Sequence, residues 1–108
     1  MPVRAVLDLG STLPEQQWFY DMAGASFLFG SAEWEAWLAD DGHRAFRVIT
    51  PHCIYTVRRE QRFGQWRWSA SPKGGGTSRH RVVIGATSDL TALRLRDIGR
   101  VFGADQEM

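Results

Sequence analysis

The sequence predicts an α+β fold: a three- to four-stranded antiparallel β-meander packed on a C-terminal α-helix, with an additional N-terminal helix. Three observations carry that expectation. Residues 53–60 and 65–71 alternate in character as strands do, residues 79–85 read as a third strand, and turn-forming residues separate them. Residues 88–102 place Leu95, Ile98 and Phe102 at i, i+3 and i+7, the spacing of one helical face. Trp34, Trp37 and Leu38 stand at i, i+3 and i+4 in a second, earlier run.

The N-terminal stretch is mixed. VRAVLDL suits a short strand, Pro14 and the polar residues after it delay regular structure, and the bulky WFY at 18–20 must pack on something. ASFLFG at 25–30 reads as a short buried strand or a turn into the next helix. Ser31 then serves as an N-cap, Glu33 and Glu35 suit the positive end of a helix, and Gly42 supplies a stop. A helix is therefore expected near 32–40.

From there the pattern is β until late. AFRVIT at 45–50 is rich in strand formers and ends at Pro51. In 53–60, Tyr55, Val57 and Arg59 share one face, and Ile54, Thr56 and Arg58 the other. RFG at 62–64 signals a turn. In 65–71, Trp66, Trp68 and Ala70 oppose Arg67, Ser69 and Ser71. PKGGGTS at 72–78 reads as a loop, because three consecutive glycines weaken any strand interior. A last helix of roughly three turns starts from Ser88 or Asp89, with Gly99 costing it about 1 kcal/mol relative to alanine. Residues 103–108 are expected to fray. The 108 residues make one domain: an acidic, Trp-rich helical part at 1–44, a basic β-β-β-α part at 45–102, and the tail.

Charge is segregated along the chain. Residues 53–83 hold seven basic residues against one acid, a net of +6, whereas residues 1–50 hold three against seven. Cations interleaved with Trp66 and Trp68 on strands point to a polyanion, nucleic acid first among them. The single cysteine, Cys53, forms no internal disulfide, and the histidines and Cys53 lack the spacing of a zinc site. No run approaches the roughly 20 apolar residues of a membrane span, and the N-terminus lacks a signal-peptide core. The expected compartment is a reducing cytoplasm.

Residues 27–102 resemble a small bacterial domain found at the N-terminus of large regulators of the MalT-like LuxR type and as stand-alone proteins. The resemblance lies in the order and spacing of WEAWLADD, FRVIT, TVRRE, Gly64, QWRWSAS, SRHRVVIG and SDLTALRLRDIGRVF. The β-β-β-α part is also similar to the arm-type DNA-binding domains of tyrosine recombinases. The resemblance implies that a sheet face binds duplex DNA in the major groove. Two departures stand out: the family pattern carries arginine where this chain has Ser71 and Val82.

The expected nucleic-acid contacts are Arg58, Arg67, Ser69, Lys73, Arg79 and Arg81, because an arginine fork matches phosphate or guanine. Trp66 and Trp68 read as core, with base stacking as the alternative. The Gly74–Gly76 loop lacks the spacing of a phosphate-binding loop. His52 and Cys53, adjacent on a strand, point apart and make a poor catalytic pair. No nucleophile, acid–base pair or metal cluster emerges, so neither cofactor nor enzyme activity is expected. The leading expectation is a non-catalytic protein that binds double-stranded DNA, an accessory transcriptional regulator. The alternative is a docking module for a protein partner or a homodimer through the apolar residues of 18–38. RNA or single-strand binding is a weaker third reading, and no membrane partner is expected.

Overall fold

A computed structural model describes residues 5–21, 24–40, 42–72 and 81–106. Seven strands form one mixed sheet: β1 Ala5–Asp8, β2 Trp18–Asp21, β3 Ser26–Leu28, β4 Ala45–Ile49, β5 Ile54–Arg62, β6 Gln65–Pro72 and β7 Val82–Gly85. Two helices complete it, α1 Ala32–Ala39 between β3 and β4, and α2 Ala92–Gln106 after β7. Sheet order is β3-β2-β1-β4-β5-β6-β7, with β1 and β4 parallel and every other pair antiparallel.

This corrects the expected three- to four-stranded meander. The later strands fall where alternation places them, but β1–β3 extend the sheet beyond β4 through the parallel pairs Val6 with Arg47 and Leu7 with Val48. VRAVLDL and ASFLFG suit short strands, but three or four residues do not disclose which strand they pair with, and a parallel partner needs a long crossover. Here the crossover is α1, which carries the chain back over the sheet from β3 to β4. The glycine-rich loop and the residues at 79 and 80 lie outside the described residues. The final helix continues through Gln106, past the expected start of fraying at 103.

Strand parity sorts the sheet into two faces. Leu7, Phe19, Phe46, Val48, Tyr55, Val57, Trp68 and Ala70 point to one face and are buried there. Both helices lie on it. Trp34 and Trp37 of α1 meet Phe19 and Phe46 at ring-centre distances of 4.6–5.9 Å. Leu95, Ile98 and Phe102 of α2 are buried as their spacing predicts, and the Tyr55 hydroxyl donates to the Leu95 carbonyl. Ser31 caps α1 as expected, accepting from the Trp34 amide at 3.3 Å.

Gly99 has a packing role. A Cβ there would lie 2.5 Å from Thr50 Oγ1, so the bare glycine lets α2 sit directly on the turn between β4 and β5. Cys53 donates its thiol to the Gly99 carbonyl across the same contact.

Candidate nucleic-acid interface

The second face of the sheet lies under no described helix. Its rows follow from the register. Ser26, Tyr20, Val6, Arg47, Thr56 and Ser71 form one row across six strands. Leu28, Trp18, Asp8, Ile49 and Ile54 form the next, and Ala45, Arg58, Ser69 and Val83 a third. The face is therefore divided. The β3-β2 corner is apolar and aromatic, with Trp18, Tyr20 and Leu28 exposed, whereas the β4-β5-β6 side carries Arg47, Arg58 and Arg67.

The sequence-predicted contacts separate on this surface. Arg58, Arg67 and Ser69 share the uncovered face, as parity requires, though Ser69 is buried among its neighbours. Arg81 stands just before β7 and is paired with Glu60 of β5, so its charge is already matched. Lys73 and Arg79 lie outside the described residues. Arg47 joins Arg58 and Arg67 on the face. The alternation of Phe46, Arg47 and Val48 carried that information, since a cation between two apolar residues on a strand must point away from the core.

Two other arginines, Arg59 of the basic region and Arg44 just before it, lie against tryptophan rings. Arg59 points to the helix side, where it donates to the carbonyls of Leu38 and Asp40 at the end of α1 and lies over the Trp68 ring. The partial negative charge of a helix C-terminus favours a cation in this place. Arg44 sits 5.8 Å from the centre of the Trp66 ring.

The two tryptophans of β6 have different fates. Trp68 is 2% exposed and donates its indole N–H to Thr87. Trp66 is 45% exposed, because β5 and β6 run on past their neighbours. β4 pairs with β5 only as far as Arg58, and β7 pairs with β6 only over Trp68–Ala70. Beyond these points β5 and β6 form a two-stranded ribbon. Its turn is Phe63-Gly64, with φ of 52° and 78°. Paired positive φ values close a two-residue hairpin and ordinarily select Asn-Gly, since a bulky residue in the left-handed region costs roughly 1–2 kcal/mol. Phe63 is nevertheless there, 96% exposed.

Among the described residues, no group of three or more His, Cys, Asp or Glu is placed to hold a metal. Burial raises the Cys53 thiol above its ordinary value, although a hydrogen bond with Thr50 lowers it in part, and a raised thiol is a poor nucleophile. A cleft of about 530 Å³ lies between α1 and the segment leading into α2, lined by Trp34, Leu38, Leu90 and Glu35 among others. None of the predicted contacts lines it. No helix is long and apolar enough to cross a membrane among the described residues.

No family model, curated protein or solved structure matches this chain.

Proposed function

We propose that the chain is a non-catalytic, cytoplasmic DNA-binding protein, an accessory transcriptional regulator, whose β5–β6 ribbon enters the major groove. The supporting observation is the projection of that ribbon past β4 and β7, with Arg67 on its uncovered face, Arg58 on the same face at its base and Arg47 behind them. Groove dimensions narrow the mode. Seven strands at about 4.8 Å spacing span roughly 29 Å, whereas the major groove is about 12 Å wide and admits a two-stranded ribbon. The ribbon would read the groove while Arg47 meets a flanking phosphate.

The test is anisotropy of a labelled duplex across a salt series. Arg58→Ala and Arg67→Ala should each weaken binding and reduce the salt slope by about 1. Absence of binding at low salt, or indifference to both substitutions, would sink the proposal.

A second reading rests on the opposite corner of the face. Trp18, Tyr20 and Leu28 are exposed together on β2 and β3, within the apolar 18–38 segment, and aromatic clusters of this kind favour a protein partner or a second copy. Capture of a partner from nuclease-treated lysate, abolished by Trp18→Ser with Tyr20→Ser, would favour it.

A further inference from the structure

We propose that Phe63 is a wedge that inserts between base pairs of duplex DNA from the tip of the β5–β6 ribbon. The inference rests on the DNA-binding reading and adds a contact of a different kind.

Phe63 contributes little to the fold. It buries almost nothing, being 96% exposed, and it holds the left-handed backbone at φ 52° that asparagine or glycine adopts more easily. A large aromatic kept in a strained, solvated position finds its use in contact with something outside the chain. Its surroundings define the chemistry of that contact. Arg67 lies three residues behind Gly64, about 10 Å back along the strand. Across the ribbon from Arg67 stands Glu60, paired with Arg81, and Arg58 lies on the same face at the ribbon's base, opposite Ser69 of β6. Trp66 offers a second exposed ring on the helix side, with Arg44 beside it.

An apolar tip with cations set back from it matches the layout of a base stack flanked by phosphates. Apolar side chains used as wedges, phenylalanine among them, enter base steps and kink the duplex. The cations would fix the ribbon on the backbone, and Phe63 would unstack one step at its end.

Two measurements test this on the intact chain. In the first, Phe63→Asn is titrated against the labelled duplex beside the unaltered protein. Asparagine suits the turn, so the variant keeps its fold. Affinity should fall by about tenfold or more, as when a stacked aromatic is removed, with the salt slope unchanged. In the second, the duplex carries 2-aminopurine. Its emission should rise on binding the unaltered protein and stay flat at saturating Phe63→Asn. Equal affinity for the two proteins, or no rise in emission, overturns the wedge and leaves the DNA-binding reading standing. Failure of both proteins to bind duplex at low salt overturns both. Phe63-dependent binding to anionic phosphatidylserine vesicles, with none to duplex, also overturns the wedge and assigns the tip to a lipid surface.

Discussion

The guanidinium of Arg59 lies 4.6 Å from the centre of the Trp68 ring and donates to the carbonyls of Leu38 and Asp40. One side chain thereby ties β5, β6 and the end of α1 together. Arg59→Ala should lower stability by about 2–3 kcal/mol, combining the loss of a cation over an aromatic ring with that of hydrogen bonds at a helix terminus. Arg59→Lys should lose about half as much, since an ammonium lacks the planar fork. Urea unfolding measures both. Equal stability of all three proteins would show that Arg59 is a surface cation after all.

Gly99 reverses the usual helix rule. By propensity alone Gly99→Ala would gain about 1 kcal/mol. Here the new methyl would lie 2.5 Å from Thr50 Oγ1 and 2.8 Å from Thr50 Cγ2. The helix must shift, and a net loss of about 1–3 kcal/mol is expected from overpacking. Thr50→Ser removes one of the clashing groups and should restore part of it. A higher melting temperature for Gly99→Ala would contradict the close contact.

Tyr55 sets an alkaline limit. Burial pushes its phenol well above the ordinary value of 10.0, with Cys53 adding to the rise and Arg94 opposing it. The unfolded chain therefore loses this proton first as pH increases. Stability from Tyr55 is fully present below pH 10 and falls above it, at up to about 1.4 kcal/mol per pH unit. Tyr55→Phe loses the bond to Leu95, costing about 1 kcal/mol at neutral pH, and should flatten the decline above pH 10. Parallel alkaline profiles for the two proteins would contradict this.

Glu60 restrains the basic surface. It pairs with Arg81 and stands directly opposite Arg67. Glu60→Gln should change stability by less than about 1 kcal/mol, because the pair is partly exposed. On the DNA-binding reading it should also tighten duplex binding and steepen the salt slope by up to about 1, as Arg81 becomes available to phosphate. Unchanged affinity would remove Arg81 from the interface.

Phe63→Asn carries opposite signs for stability and binding. Relief of the left-handed strain should raise stability by roughly 1 kcal/mol, seen as a higher melting temperature. The same substitution weakens duplex binding if Phe63 is the wedge. Destabilisation would mean that Phe63 packs on the protein in solution.

What the sequence disclosed was local. Parity separated Arg58 and Arg67 from Val57 and Trp68, and helical spacing found Trp34, Trp37, Leu95, Ile98 and Phe102, because each signal repeats within a few residues. The N-terminal half of the sheet was not legible in this way. Val6 and Arg47 pair from roughly 40 residues apart, and nothing in VRAVLDL names its partner. The extra strands also changed the candidate site. They turned a narrow sheet into a wide one and left the ribbon as the part that fits a groove. Strand alternation put Arg59 on the face of Tyr55 and Val57, but it does not disclose the helix terminus that waits there. Trp66 and Trp68 share a face and differ in burial, since neighbouring strands end between them. Arg47 and Phe63 were open to discovery, the first by parity and the second as a bulky residue in a tight turn.

The sheet ends in two stunted borders. β3 has three residues, and β7 has four with an irregularity in its pairing to β6. A growing fibril needs a long, straight row of unpaired backbone amides and carbonyls to template the next strand, and neither border offers one. The ribbon's outer sides beyond Arg58 and before Trp68 are no longer than these borders and end in a strained turn. The described borders are thus poorly suited to pairing copies edge to edge, and the two faces, where side chains rather than backbone choose the partner, are the better surfaces for contact.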